Sequence, residues 1–546
     1  MKVAKRRLPA GWLAWPIVVL ALTLLNASLT FANVWPTAKI RWHSAVSIEL
    51  AGCVLLLAVL RRPSSSLVRR AVPALWLVLV VGHYLDVTAP GLYGRDFNLY
   101  WDAPHLGNVI AMISEAAPAY LLVLAAIVAL LGVVVAYATS RAALGYVAEA
   151  LTRPRPRAAL VSMATVVVAL FTMQQLTGRQ HTGLVFADAV TPEYAHQLRS
   201  LVALAGPGAV APTLGPSPAA LGSTPDGLGG ADVHLVFVES YGAVTFDSPA
   251  FATALGPSRA TFEAAVRETG RRVVSAYVEA PTFGGSSWLA HLSLIAGIGV
   301  RDQYAYQVLM TQPRETLGTT FARAGYRTVA LMPGMRQAWP EGEFYRYARI
   351  YGRTDLAYEG PRFGWWSIPD QYAFAKLDAL EGARVSRGPL FVVFPTSTTH
   401  APFGPVAPYQ PDWSKVLTSD AYDPAEVERI LARPPDLNNL SADYAHAMSY
   451  EFTTFGGYLR EHADDELVMI LVGDHQPLAA VAGSDAPWTV PVHVVTSRPH
   501  IIERLLAHGF RSGLAPARPS LGDMHELVPM LLDAFAAPGA SRAPTR

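Results

Sequence analysis

Two stretches decide the fold: Val233-His-Leu-Val-Phe-Val-Glu239-Ser240 and, far downstream, Leu467-Val-Met-Ile-Leu-Val-Gly473-Asp474-His475. Each is a continuous apolar run that stops abruptly at acidic or imidazole groups. Such a run reads as a strand buried on both faces of a parallel sheet. Loops at the carboxyl ends of such strands build the ligand site of open α/β sheets. Two core strands that deliver Glu239, Asp474 and His475 to one edge predict half of a metal-binding active site. Carboxylate and imidazole ligands suit zinc, manganese or magnesium.

Around these strings, apolar runs alternate with helical patterns. Candidate strands are Val233–Val238, Arg272–Val278, Thr328–Met332, Leu390–Phe394, Leu467–Val472 and Val490–Thr496. Candidate helices are Phe251–Glu268, Ser287–Ile295, Thr316–Ala324, Gln371–Leu380, Ala442–Glu461 and His525–Phe535. This alternation predicts an α/β domain over 232–546, a mostly parallel sheet flanked by helices.

The chain ahead of it is different in kind. With 51% hydrophobic and 16% charged residues over 546 positions, the composition suits a soluble domain joined to a membrane segment. Five apolar stretches, Trp12–Phe31, Ala45–Leu60, Ala71–Val87, Ala117–Ala136 and Ala158–Leu176, predict a five-span transmembrane domain over 1–177. Basic residues set its orientation. Lys2, Lys5, Arg6, Arg7, Arg61, Arg62, Arg69, Arg70, Arg141, Arg153, Arg155 and Arg157 fall on one side, against Lys39, Arg41 and Arg95 on the other. The positive-inside rule puts the N-terminus in the cytoplasm and, with an odd number of spans, the C-terminal domain outside. The loop holding Arg95, Asp96 and Asp102 among aromatics reads as an interfacial belt or as a contact for lipid headgroups. Residues 178–231 read as a linker: a helical segment from Glu193 to Leu204, then an exposed stretch rich in Gly, Pro, Ala and Ser. A net charge of +1 argues against a nucleic-acid role, and the single Cys53 rules out an internal disulfide framework or thiolate zinc site.

The nucleophile is sought in Ala280-Pro-Thr-Phe-Gly-Gly-Ser286-Ser-Trp-Leu-Ala-His291. Ser286 opens a helical pattern, where a serine is either an N-cap or a hydroxyl activated by the positive helix end and an adjacent cation. Gly284 and Gly285 would let a phosphoryl oxygen approach the backbone amides. Ser287 and Thr282 compete for the nucleophile's role. His493, in Val-Pro-Val-His, is either an additional ligand or a core histidine.

In that order, Glu239 after a strand, Gly285-Ser286 at a helix start, Thr398-Thr-His400-Ala-Pro-Phe403 and Gly473-Asp474-His475 resemble the sulfatase and alkaline-phosphatase superfamily. The layout of spans, linker and outer domain is similar to lipoteichoic acid synthases, which are phosphoglycerol transferases, and to lipid A phosphoethanolamine transferases. The resemblance implies a metal site of Glu239, Ser286, Asp474 and His475, with zinc or manganese ahead of magnesium. It implies Ser286 as nucleophile, His400 acting on the substrate phosphoryl or leaving group, and Arg336 and Trp339 as substrate contacts. The implied function is transfer of a phospholipid headgroup, phosphoglycerol or phosphoethanolamine, to an envelope glycan or lipid. The chain departs from the pattern in having serine where these transferases present threonine. It also lacks disulfides and the Cys/Ser-x-Pro-x-Arg signature of formylglycine sulfatases. A hydrolase of the same superfamily, acting on phosphate or sulfate esters, and a non-catalytic membrane sensor or assembly protein are the alternatives. A serine hydrolase built on Val238-Glu-Ser240-Tyr-Gly242 is disfavoured, because β-branched Val238 replaces the elbow's first glycine.

Overall fold

The computed structural model describes residues 9, 14–34, 37, 39–60, 68–93, 97, 119–177, 186–205, 214–335, 339, 342–364, 368–382, 388–436, 439–483 and 485–537. The chain divides into two compact units, Met1–Leu92 with Asp96–Ala209, and Tyr93–Arg95 with Val210–Arg546.

In the first unit, helices α1 (Ala14–Ala27), α2 (Ile48–Val59), α3 (Val68–Tyr93), α4 (Ala119–Ala150), α5 (Pro154–Thr177) and α6 (Val190–Ala205) accompany a hairpin of β1 (Phe31–Asn33) and β2 (Ile40–Trp42). Among the described residues, three helical stretches, Arg70–Pro90, Tyr120–Ala150 and Pro154–Thr177, are long and apolar enough to cross a membrane. The first two expected spans fold as shorter helices of 14 and 12 residues, below the ~20 residues that a hydrocarbon core asks of a perpendicular helix. Leu121, Leu124, Ile127, Val128, Leu131 and Val135 of α4 are all exposed, so its apolar surface faces outward on several sides. That is the pattern of a helix made for lipid. Glu49, at the start of α2, accepts hydrogen bonds from the amides of Val190 (2.7 Å) and Thr191 (3.2 Å) and so caps α6. Arg95, Asp96 and Asp102 lie outside the described residues.

The second unit is built on an eight-stranded sheet: β3 (Asp232–Val238), β4 (Arg272–Glu279), β5 (Arg327–Leu331), β6 (Arg349–Tyr351), β7 (Leu390–Pro395), β8 (Leu467–Gly473), β9 (Thr489–Thr496) and β10 (Arg511–Ser512), in the order β10–β4–β9–β8–β3–β7–β5–β6. The strands β8, β3, β7, β5 and β6 are parallel, whereas β9 runs antiparallel to β8 and β4, and β10 antiparallel to β4. All six expected strands are present. The two additional ones, β6 and β10, are edge strands of three and two residues, too short to impose a period on the sequence.

The period of two in the core strands sorts their side chains into two dry faces. Val233, Leu235 and Phe237 of β3, with Val468, Ile470 and Val472 of β8, pack against α8 (Ser287–Ala296), α9 (Leu317–Arg323) and α12 (Leu527–Ala534). Val236 and Val238, with Leu467, Met469 and Leu471, pack on the other side against α7 (Pro249–Glu268), α10 (Asp370–Gly382) and α11 (Ser441–Glu461). Helices on both faces explain why neither string alternates.

The stretch read as an exposed linker needs correction. Among its described residues, Leu221 and Leu228 are fully buried in the first of these cores. Gly227 donates its amide to the carbonyl of Phe535 at 2.8 Å, and a Cβ there would lie 2.3 Å from the carbonyl oxygen of Ala536. Two leucines suffice to dock a segment whose remaining composition looks loop-like.

Candidate functional site

Val238 of β3 lies in register with Gly473 of β8, so Glu239 and Asp474 leave the sheet side by side. The chain after Glu239 folds back over β8, and a Cβ at position 473 would lie 1.9 Å from the carbonyl oxygen of Tyr241. Only glycine permits that crossing. Ser240 takes up the turn with φ 56°, in the left-handed region. It is held there from both sides: its amide donates to Oδ1 of Asp474 at 2.8 Å, and its carbonyl accepts from the hydroxyl of Tyr444 at 2.8 Å. Its own hydroxyl donates to Oε1 of Glu239 at 3.0 Å. Ser240 is therefore part of the scaffold.

Ligand atoms of Glu239, Asp474 and His475 all lie within 4.8 Å of one another, and the three residues are buried. Oδ1 of Asp474 accepts from the amides of Ser240 and His475, whereas its Oδ2 is buried without a hydrogen-bond partner. Nδ1 of His475 lies 2.7 Å from the carbonyl of Gln476. A carbonyl only accepts, so this bond places the proton on Nδ1 and turns the Nε2 lone pair toward the carboxylates. Nε2 is 3.5 Å from Oε1 of Glu239 and 3.8 Å from Oδ2 of Asp474. Burial, and then the neighbouring Asp474 carboxylate, push the Glu239 carboxyl well above the usual range. Two buried carboxylates, one of them with an orphaned oxygen, and an oriented imidazole lone pair form a donor set suited to a divalent cation. The residues present fit such an ion.

A second hydroxyl, that of Ser287, the first residue of α8, reaches Glu239 and also His475. Its Oγ lies 3.0 Å from Oε2 of Glu239 and 3.1 Å from Nε2 of His475. Ser286, one residue earlier, adopts φ 62° and ψ 39° at the helix cap and makes no side-chain capping bond. The helix begins at Ser287, as its apolar period predicts, but the inward hydroxyl belongs to Ser287 and not to the expected Ser286. The left-handed turn at Ser286, which no residue-level propensity announces, decides which serine faces the carboxylates. Thr282 donates its hydroxyl to the carbonyl of Gly285 at 2.6 Å, and Gly284 donates its amide to the carbonyl of Gln476 at 3.1 Å. Both close the loop on itself, and the Gly284 amide is thereby engaged.

Several solved structures are similar to this chain at low identity. Lipoteichoic acid synthase LtaP from Listeria monocytogenes is 12% identical, with a TM-score of 0.38 over 57% of this chain and 74% of that one. The phosphoglycerol transferase GacH of Streptococcus pyogenes, in complex with sn-glycerol-1-phosphate, is 10% identical, with a TM-score of 0.35 over 56% of this chain and 74% of that one. The C-terminal periplasmic domain of EptC from Escherichia coli is 13% identical, with a TM-score of 0.35 over 58% and 84%. No family model and no curated protein matches the sequence.

His400 lies near enough to His475 and Asp474 for both to act on its ring; burial dominates and lowers its pKa, so the imidazole stays neutral. Its Nδ1 lies 2.7 Å from the carbonyl of Ala401. The loop carrying it is clamped by Asp370, a residue the sequence did not single out. Asp370 is fully buried and accepts from the amides of Ser397 (2.9 Å) and Thr398 (2.7 Å). His493 is a core histidine: Nδ1 meets the hydroxyl of Ser275 at 2.6 Å, Nε2 that of Tyr241 at 2.9 Å, and burial lowers its pKa to about 3. Trp339 stacks at a tilt on Tyr345, with centroids 5.3 Å apart, and packs against the core. Arg336 lies outside the described residues.

Proposed function

We propose that this chain is a membrane-anchored, divalent-metal-dependent phosphotransferase whose C-terminal domain works outside the cytoplasmic membrane. It moves a phospholipid headgroup, phosphoglycerol or phosphoethanolamine, through a phosphoserine on Ser287 to an envelope glycan or lipid. The observation that carries this reading is the Ser287 hydroxyl, set between Glu239 and His475 at the start of α8. A cation held by Glu239, Asp474 and His475, zinc or manganese ahead of magnesium, would lower the hydroxyl's pKa and offset phosphoryl charge.

In this reading Oγ of Ser287 attacks phosphorus and the diacylglycerol oxygen departs. The acceptor hydroxyl then attacks the phosphoserine and frees Oγ. His400, kept neutral by burial, takes the acceptor's proton and passes it to the departing diacylglycerol oxygen of the next donor, so protons balance over the cycle. The N-terminal helices hold this chemistry at the lipid surface, and the excess of basic residues on one side of them supports an outward-facing domain.

Turnover of full-length protein in liposomes tests the assignment. Release of diacylglycerol from phosphatidylglycerol or phosphatidylethanolamine is expected to persist in Ser286→Ala and to fall by roughly 10⁴-fold or more in Ser287→Ala. The opposite ranking returns the nucleophile to Ser286. Absence of release from either lipid overturns the headgroup assignment.

A further inference from the structure

His291 lies one helical turn beyond Ser287 on α8, so the two side chains share a face. Its Nε2 is buried without a hydrogen-bond partner and lies 3.8 Å from Oδ2 of Asp474, itself a buried orphan. Two adjacent polar atoms rarely lie buried and unsatisfied without cause. Their separation is too long for a hydrogen bond. It suits two ligands of a common ion, because bonds of about 2.0–2.2 Å hold neighbouring ligand atoms roughly 3–4 Å apart. The ring's orientation is fixed from behind by Phe237 of β3, with centroids 4.3 Å apart at an interplanar angle of 42°. Oδ1 of Asp474 is already committed to two backbone amides, which leaves Oδ2 as the only oxygen it can give to an ion.

We infer that His291 is an additional ligand of the divalent cation at the Glu239–Asp474–His475 site, through Nε2 and beside Oδ2 of Asp474. The inference rests on the metal-dependent reading given above. A single helix would then supply both the hydroxyl, from Ser287, and a ligand, from His291, and docking of α8 on the sheet would complete the coordination sphere. Two imidazoles with two carboxylates favour zinc over magnesium, which prefers an all-oxygen shell.

X-ray absorption of zinc-loaded, full-length protein counts imidazole ligands through their outer-shell scattering. Two imidazoles are expected in the native chain and one in His291→Gln, with zinc affinity in the variant, read by competition with a chromophoric chelator, lower by roughly 10–100-fold or more. The spectrum of the native chain decides the question even if the variant fails to fold. One imidazole in the native chain, or unchanged zinc affinity in the variant, overturns the assignment while leaving the metal reading intact. A native chain that takes up no stoichiometric zinc, manganese or magnesium overturns both.

Discussion

Oγ of Ser287 lies 3.1 Å from Nε2 of His475, across 188 positions of sequence. The contact exists because β3 and β8 are register-paired neighbours and α8 docks its N-terminus over their carboxyl ends. His475 offers that nitrogen because its other one is tied to the carbonyl of Gln476. The Ser287 hydroxyl thus has two acceptors, Glu239 and His475, and a cation held by Glu239, Asp474 and His475 would make that proton easier to lose.

Chelation should therefore be felt in stability as well as in activity. An ion bound only to the folded state stabilises it by about 2.7 kcal/mol at a hundredfold excess over its Kd. Thermal denaturation of the full-length protein with and without a chelator, and after zinc or manganese is restored, measures this. A melting temperature unaffected by chelation and by added metal would remove the basis for a buried ion.

Substitution of Gly473 by alanine tests the crossing of the two site-bearing strands. The added methyl meets the backbone carbonyl of Tyr241 at 1.9 Å, and a backbone atom cannot rotate away as a side-chain tip can. Overpacking of this kind typically costs about 1–3 kcal/mol or more. The loss should appear both as a lower denaturation midpoint and as weaker metal uptake. A variant with native stability and metal content would show that the chain has room there.

Much of this is legible in the sequence. The strings ending in Glu239 and Asp474 revealed their strands because both faces are buried, and uninterrupted apolar runs have no other good use in a soluble domain. Edge strands β6 and β10 were silent, being three and two residues long. The inward serine falls one residue later than the pattern predicts because a left-handed residue, Ser286, precedes α8. Leu221 and Leu228 were hidden in loop-like composition. Asp370 and Tyr444 act on the site only through loops that they hold, so nothing near them in sequence marks them.

Asp370 offers a test of the loop that presents His400. It receives two backbone amides and the hydroxyl of Ser397, the last at 3.1 Å. Hydrogen bonds to a charged group contribute about 1.5–3 kcal/mol. Asp370→Asn should lower kcat by loosening His400 and leave zinc stoichiometry unchanged. Equal loss of both would mean that Asp370 supports the whole domain rather than one loop.

Glu451 is expected to make stability depend on pH at a position remote from the metal ligands. It is fully buried on α11, and burial, followed by the nearby Asp370 carboxylate, raises its pKa well above the normal value. A carboxyl raised in the folded state contributes stability that is complete below its unfolded pKa of about 4.3 and is lost as pH rises through the folded value. Glu451→Gln should therefore flatten the decline of melting temperature between mildly acidic and alkaline pH. Parallel declines in the variant and the native protein would contradict a neutral Glu451.

Intact-mass analysis of the full-length protein after incubation with metal and phospholipid, followed by peptide mapping, tests the central claim most directly. The account predicts a covalent phosphoglycerol or phosphoethanolamine adduct on Ser287, absent from Ser287→Ala and retained in Ser286→Ala. An adduct on Ser286, or turnover with no adduct in Ser287→Ala at native rate, would contradict it.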